Sequence, residues 1–254
     1  MTALVVFVHG LIGPLADPVV LAAMAPADTL AADLRGYGAR ACHPVEGLTI
    51  DDHVDALEGE IADSAPSSPT AIHLVGHSVG GVIAARFADR HPSTVASLTS
   101  LEGNFSLKDA FWSGQLAAMQ LDEATELLNR DRRDPAGWLR AAGVESTPTR
   151  LAGAREALEF QPPATVHAMA RAVVDFTGSS TYEAMLRRVF AARRTHLVAG
   201  SRSRADWDVP EWAIDAAATY QAVPDCGHMI MLEQPHRLAT LLASLISRRC
   251  RTDG

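Results

Sequence analysis

The amino-acid sequence predicts an α/β protein in which helices cover both faces of a parallel sheet of about six strands. Along the 254 residues, short apolar runs rich in β-branched residues alternate with amphipathic helical patterns. This alternation is typical of parallel sheets, because parallel strands need crossover connections between them. The candidate strands are residues 4–8, 29–33, 71–75, 95–101, 196–199 and 219–223.

Two of the helical patterns carry start signals. Apolar residues at helical spacing between Ile50 and Ile61 follow possible N-terminal caps at Thr49 and Asp51. The last helix is predicted to begin at Pro235, a residue type favoured in the first turn. The apolar residues that follow, at 238, 241, 242, 245 and 246, predict one buried face.

The interval between the fourth and fifth candidate strands breaks the alternation. From about residue 106 to residue 193 there is no convincing strand pattern, and prolines at 135, 148, 162 and 163 interrupt helical patterns. Structureless loops of that length are uncommon in compact domains. We therefore expect residues 106–190 to form an α-helical cap, inserted into a core made of residues 1–105 and 191–254.

The composition argues against several other classes of protein. The net charge of −8, from 30 acidic and 22 basic residues, argues against a nucleic-acid partner. Cys42, Cys226 and Cys250 are widely spaced and odd in number, so neither a disulfide framework nor a zinc site is expected. The sequence lacks a phosphate loop, a dinucleotide fingerprint and metal-ligand spacing, so we expect no metal and no other cofactor.

The N-terminal residues have no signal-peptide pattern, and no segment has the length and apolarity of a membrane span. We therefore expect a cytoplasmic protein with a small-molecule substrate and no membrane partner, and its oligomeric state stays open. The alanine-rich sequence has many arginines and one lysine, Lys108, which favours a bacterial source.

The segment with the clearest chemical meaning is residues 76–80, Gly-His-Ser-Val-Gly. It follows an apolar run that ends at Val75 and precedes a helical stretch over residues 82–89, which is the strand–turn–helix context of a nucleophile elbow. Such a turn strains its central residue and needs small neighbours, here Gly76 and Gly80. The pattern predicts Ser78 as a nucleophile at a helix N-terminus that favours negative charge. The alternative is a glycine-rich turn that only packs closely.

Three further motifs occur in a fixed order around this elbow. They are residues 8–10 (Val-His-Gly), residues 33–38 (Asp-Leu-Arg-Gly-Tyr-Gly) and residues 226–228 (Cys-Gly-His). With these motifs, essentially the whole chain resembles the α/β-hydrolase superfamily, and in particular its capped, esterase-like serine hydrolases. The chain order, with the nucleophile first and the histidine last, also fits that fold.

The resemblance implies roles for several residues. His228 would be the general base that takes the proton of the serine hydroxyl. The backbone N–H groups of Val79 and Leu11 would form the oxyanion hole. His9 and His77 flank the site, and we expect them to shape loops rather than transfer protons. The alternative for His228 is a loop histidine that caps the last strand.

The acid that orients the base is less clearly marked. In the resembling family it usually lies three residues after a glycine, here Gly200, but that position holds Ser203. Some relatives instead place the acid directly after the strand that follows the nucleophile helix, where this chain has Glu102. We therefore predict Glu102 as the acid, with Asp206 and then Asp208 as alternatives that require the loop to bend back.

Apolar residues near these positions are candidates for substrate contact. Phe105, Phe111 and Trp112 stand at the entry to the predicted cap, and lids of this kind exclude water and shape specificity. Met229 follows the predicted base and would line an apolar pocket, although ordinary core packing explains it equally well.

Together these residues predict a serine hydrolase that cleaves an ester, thioester or lactone of a small organic acid through an acyl-enzyme on Ser78. Ser78 at the elbow excludes the aspartate nucleophile of resembling dehalogenases and epoxide hydrolases. A carbon–carbon bond hydrolase and an acyltransferase remain alternatives. So does a different class, a ligand-binding protein without catalysis or a cofactor-free oxygenase on the same scaffold.

The N-terminal segment makes one prediction about the sheet. Relatives commonly begin with an antiparallel hairpin, but only eight residues precede the His9–Gly10 pair, too few for a hairpin and a strand. We therefore expect six parallel strands, with residues 4–8 lying between neighbours in a doubly wound order.

Overall fold

The computed structural model describes residues 3–64 and 71–247, and its six strands form one sheet. The strand order is β2-β1-β3-β4-β5-β6, and every pairing is parallel. The predicted fold class and the internal position of β1 are thus confirmed. The strands are β1 (Ala3–Val8), β2 (Asp28–Ala32), β3 (Ala71–His77), β4 (Val95–Leu101), β5 (Arg194–Gly200) and β6 (Thr219–Val223).

Helices fill the connections between the strands. Those outside the β4–β5 connection are α1 (Pro18–Ala22), α2 (Ile50–Ser64), α3 (Val79–Arg90), α10 (Glu211–Ala216), α11 (Ile230–Glu233) and α12 (Pro235–Ser247). Helix α2 begins as predicted after Thr49, whose hydroxyl accepts the Asp52 N–H at 3.1 Å while Asp52 accepts the Thr49 N–H at 2.8 Å. This reciprocal pair satisfies two of the amides that a helix N-terminus leaves free.

Side chains that alternate along β1 show that both faces of the sheet are buried. Leu4, Val6 and Val8 pack in the apolar core that includes residues of α2, α3 and helices of the β4–β5 connection. Val5 and Phe7 pack on the opposite face against residues of α1 and α12. A strand with no solvent-facing side is a continuous apolar run, which is why residues 4–8 contain no polar side chain.

The long connection between β4 and β5 is helical, as the sequence indicates. Its helices are α4 (Phe111–Ala118), α5 (Leu121–Arg133), α6 (Pro135–Ala141), α7 (Pro148–Glu159), α8 (Pro163–Thr177) and α9 (Tyr182–Ala192). The prolines begin helices rather than interrupt them, because a first-turn residue needs no N–H donor. Asp134 and Thr147 cap α6 and α7 through the amides of Gly137 and Arg150.

These helices do not all pack in the same place. Helices α4 and α5 pack on α8, which also contacts α2 and α3, and α9 packs on α3 and β5. The segment after β4 therefore returns to the helical layer of the core before β5 begins. The boundaries of the cap at residues 106 and 190 stay a prediction.

Two helical glycines test how closely α3 approaches β1. A β-carbon at Gly80 in α3 would lie 2.1 Å from the carbonyl oxygen of Val8 and 2.4 Å from that of His9. Gly59 in α2 has open space at the same position. We expect Gly80→Ala to lower the free energy of unfolding by about 2 kcal/mol or more through overpacking. Gly59→Ala should raise it by about 0.5–1 kcal/mol.

Urea unfolding measures the free energy of unfolding of both variants and of the wild type. If Gly80→Ala proved as stable as Gly59→Ala, the close packing of α3 on β1 would be contradicted.

Candidate active site

The turn between β3 and α3 holds Ser78 in a strained backbone conformation. Its φ of 52° and ψ of −122° lie where few residues with a side chain are found. The Ser78 N–H donates to the carbonyl oxygen of Leu101 at 2.9 Å, which fastens the turn to the end of β4. The glycines are required by space, because a β-carbon at Gly76 would lie 2.5 Å from the carbonyl oxygen of Gly80.

Glu102 lies directly after β4 and also has a positive φ, 47°. Its carboxylate is buried and accepts hydrogen bonds at both oxygens. Oε2 accepts from Nδ1 of His228 at 2.7 Å. Oε1 accepts from the Gly200 N–H at 2.7 Å and from the Ser203 hydroxyl at 2.5 Å. The structure therefore places on His228 the carboxylate that was predicted from the end of a strand.

The charge state of Glu102 follows from these contacts. Burial raises its pKa, but the hydrogen bonds from His228, Ser203 and Gly200 outweigh burial and hold the pKa below its usual value. An ionised carboxylate can only accept hydrogen bonds, so Nδ1 of His228 carries the proton. In the neutral form of this imidazole, Nε2 is the nitrogen with the lone pair, as a general base requires.

Within the described residues, neither of the two aspartates that were alternative acids is hydrogen-bonded to the imidazole, which pairs with Glu102. Asp206 is exposed, and its backbone N–H donates to the carbonyl oxygen of Ser203. Asp208 accepts from the Lys108 ammonium at 2.7 Å and from the Ser106 hydroxyl at 3.3 Å. Both aspartates therefore lie in the turn before α10.

The loop that carries His228 is fixed from two sides. Nε2 of His77, the residue before Ser78, donates to the carbonyl oxygen of His228 at 3.0 Å, and the two rings lie 4.6 Å apart. The Gly227 N–H donates to Oε1 of Glu233 at 2.7 Å. The His228 side chain itself is 43% exposed, so a ligand can reach it.

The serine hydroxyl makes no hydrogen bond to the imidazole in the described part of the chain. The His77–His228 contact brings the two segments together, yet within residues 3–64 and 71–247 the Ser78 hydroxyl has no hydrogen-bond partner. Hydrogen bonds between a nucleophile and its base are often long before substrate binds. The side chain is partly exposed, which leaves it free to turn towards the imidazole.

The loop after β1 lies against the elbow. A β-carbon at Gly10 would lie 3.2 Å from the β-carbon of Ser78, so the backbone just before Leu11 passes close to Ser78. Val79 is the first residue of α3, where backbone N–H groups have no acceptor within the helix. Neither amide has an acceptor in the described part of the chain. These are the properties that oxyanion-hole donors need.

Other residues brace this loop from behind. The Tyr37 hydroxyl donates to the carbonyl oxygen of Leu11 at 3.2 Å. The buried side chain of Gln161, which follows α7, accepts the Gly13 N–H at 3.0 Å. His9 packs its ring against Tyr37 and Phe160, with centroids 4.4 and 5.3 Å away. His9 and Tyr37 therefore shape the loop, and Gln161 ties it to the helical insert.

The four apolar residues expected to touch substrate lie in different surroundings. Phe105 is buried in an aromatic cluster whose other members are Phe190, Trp207 and Trp212. Phe111 is 69% exposed, and Trp112 packs partly against the core. Met229 packs in the small apolar cluster formed with α6 and α7. Their contact with substrate stays a prediction.

Further residues hold the His228 loop and the Glu102 carboxylate in place. Glu233 is buried and accepts from the Gly227 N–H and, at 2.6 Å, from Arg202, which also donates to the carbonyl oxygen of Gly143 in the insert. No local pattern marks Glu233 or Arg202. Ser203 did carry a signal, because it stands where the resembling family has its acid.

The sequence model of the alpha/beta hydrolase family matches residues 5–241, so the chain belongs to the alpha/beta hydrolase family. Membership indicates a hydrolase built on this scaffold. Over 59 residues, 23% of the chain, it is 42% identical to an uncharacterized protein of Nostoc sp., and the match spans 22% of that relative's length.

Solved structures share the fold at low sequence identity. One from work on carboxylesterases of Nitrososphaera gargenis has a TM-score of 0.71 and 15% identity, covering 96% of this chain and 90% of that one. A thermophilic esterase of Thermogutta terrifontis has a TM-score of 0.67 and 18% identity, covering 97% and 89%. MenH of S. aureus has a TM-score of 0.70 and 17% identity, covering 97% and 94%.

Two absences hold for the described residues. Helices long and apolar enough to span a membrane do not occur among them. They also contain no group of histidine, cysteine and acidic side chains that could hold a metal ion. Cys42 is exposed and Cys226 buried, both as free thiols, and Cys250 lies outside the described residues.

Three buried histidines make the protein sensitive to acid. Burial lowers the pKa of His9 to about 4 and that of His53 and His77 to about 3. The unfolded chain binds these protons below about pH 6.5, whereas the folded chain does not. Stability is therefore complete above about pH 6.5 and is lost as the pH falls towards 4 and 3, by about 1.4 kcal/mol per pH unit for each histidine.

His53 separates this effect from general acid denaturation, because neither of its ring nitrogens has a hydrogen-bond partner within the described residues. We expect His53→Leu to be at least as stable as the wild type near neutral pH. Its loss of stability below about pH 6 should be shallower by about 1.4 kcal/mol per pH unit. Urea unfolding across pH makes the measurement, with the exposed His43→Gln as control. An unchanged slope in His53→Leu would contradict the account.

Proposed function

We propose that the protein is a serine hydrolase that cleaves an ester, thioester or lactone of a small organic acid through an acyl-enzyme on Ser78. The observation that carries this proposal is the 2.7 Å hydrogen bond from His228 to the buried carboxylate of Glu102, beside a strained serine at a helix N-terminus. A serine hydroxyl becomes an effective nucleophile only when a base with a fixed tautomer takes its proton.

In the acylation step, the Ser78 oxygen attacks the carbonyl carbon of the substrate while its proton passes to Nε2 of His228. The negative charge that develops on the carbonyl oxygen is stabilised by the N–H groups of Leu11 and Val79. Glu102 stays ionised and stabilises the imidazolium that forms. The C–O or C–S bond then breaks, and His228 returns its proton to the leaving alcohol or thiol.

In the deacylation step, water replaces the leaving group. His228 takes a proton from the water, whose oxygen attacks the acyl carbon, and the same two amides stabilise the second oxyanion. Collapse of this intermediate breaks the bond to Ser78, which regains its proton from His228, and the acid is released. The partly exposed imidazole supports this step, because water has access to it.

The structural relatives support the ester class. Two of the solved structures that share this fold come from work on carboxylesterases and on an esterase. This likeness concerns the fold, and the case for an ester substrate rests on the Ser78 elbow and the His228–Glu102 pair together.

A fluorophosphonate probe and one substitution test the nucleophile. Wild-type protein should be labelled on Ser78, and Ser78→Ala should remain folded, resist labelling and lose about 10⁴-fold or more in kcat on its best p-nitrophenyl ester. Ser179→Ala is the matched control, because it removes a hydroxyl from an exposed serine between α8 and α9. It should be labelled and turn over like the wild type.

A series of p-nitrophenyl esters of graded acyl length then defines the acid. Hydrolysis that falls steeply beyond short acyl groups supports a small organic acid. Ester hydrolysis retained by purified Ser78→Ala, or wild-type protein that the probe does not label, would contradict the proposed mechanism. The latter result would favour a binding protein with an idle serine.

A further inference from the structure

Ser203 holds the Glu102 carboxylate from the side opposite His228. Its hydroxyl donates to Oε1 at 2.5 Å, while His228 donates to Oε2 at 2.7 Å. The two oxygens of one carboxylate are thus held by side chains from the turn after β5 and the loop after β6. The Gly200 N–H, which also donates to Oε1, completes the set of donors.

The turn that carries Ser203 is itself rigidly placed. The Ser201 N–H donates to the carbonyl oxygen of Val223, and the Arg202 N–H donates to that of Cys226. A β-carbon at Gly200 would lie 2.3 Å from the carbonyl oxygen of Gly227, so this turn lies in contact with the histidine loop. These contacts therefore hold in place the backbone that carries the Ser203 hydroxyl.

Glu102 needs such a donor because of its length. A glutamate has one more rotatable bond than an aspartate, so its carboxylate has more orientations to lose when it is held. The backbone of Glu102 is in the left-handed region, at a φ of 47°. Donors on both oxygens select the single orientation in which Oε2 faces Nδ1 of His228.

We propose that Ser203 is a positioning residue for catalysis, which acts by fixing the Glu102 carboxylate in the orientation that holds His228. The hydroxyl stands where the sequence pattern placed an acid, and it supports an acid supplied by the neighbouring strand instead. This proposal rests on the proposed function, since it requires that Glu102 orient the base of Ser78.

A double-mutant cycle tests the proposal. Ser203→Ala should lower kcat on a p-nitrophenyl ester about 10-fold, with KM changed less than about 2-fold, because one hydrogen bond to a charged group is lost. In a Glu102→Gln background, where the charge is already absent, Ser203→Ala should change kcat by less than about 2-fold. The rate of fluorophosphonate labelling gives the same comparison without dependence on the choice of ester.

Two further variants complete the design. Ser203→Thr keeps the hydroxyl and should recover most of the kcat lost in Ser203→Ala. Ser201→Ala removes a hydroxyl from the same turn that accepts from the Asp225 N–H rather than donating to Glu102, and it should stay within about 2-fold of the wild type. Thermal unfolding of each variant separates loss of rate from loss of fold.

The outcomes are distinct. Three results would overturn the proposal while leaving the serine mechanism intact. They are an equal loss of kcat from Ser203→Ala in both backgrounds, no loss of kcat in either, and no recovery of kcat by Ser203→Thr. A wild-type protein that is neither labelled nor active on esters would instead remove the proposed function, and the role of Ser203 with it.

Discussion

The Glu102 carboxylate joins three of the chain segments that make the site. It follows β4, it accepts from the turn after β5 through Gly200 and Ser203, and it accepts from the loop after β6 through His228. Because parallel strands end at the same edge of the sheet, a buried acceptor at the tip of β4 can receive donors from the segments that follow β5 and β6. Its hydrogen bonds outweigh the unfavourable effect of burial on its charge.

Other groups of the site are buried or have a strained backbone. The unfavourable free energy of this burial and strain must be offset by favourable interactions elsewhere in the protein. Ser78 and Glu102 both have positive φ, and the close approach of glycines at 76 and 80 makes the elbow possible. His77 is buried without charge, and it holds the His228 loop through a backbone carbonyl. Strained backbone and buried titratable groups persist only where the surrounding packing holds them in one conformation. The two large apolar cores on the faces of the sheet provide this packing.

The sequence patterns predicted those features that depend on residues close together in the chain. The apolar runs gave six strands, although β3 continues to His77 and β5 begins at Arg194, because polar residues at strand ends do not carry an apolar signal. The elbow could be predicted from the sequence because its glycines lie within two residues of Ser78. The contact of Glu102 with Ser203 and that of Gly227 with Glu233 could not be predicted. Ser203 lies 101 residues from Glu102, and the Arg202–Glu233 pair forms only when distant loops meet. The surroundings of Phe105 and Phe111 likewise depend on how helices of the insert pack.

The tautomer of His228 tests the central claim most directly. Nitrogen-15 NMR of the imidazole at about pH 8, where histidines are ordinarily neutral, reports which ring nitrogen carries the proton. Substitution of His228 identifies its signals. We expect a proton on Nδ1 and a bare Nε2 in the wild type, with this preference lost in Glu102→Gln. A proton found on Nε2 in the wild type would contradict it, because the imidazole could then not take a proton from Ser78.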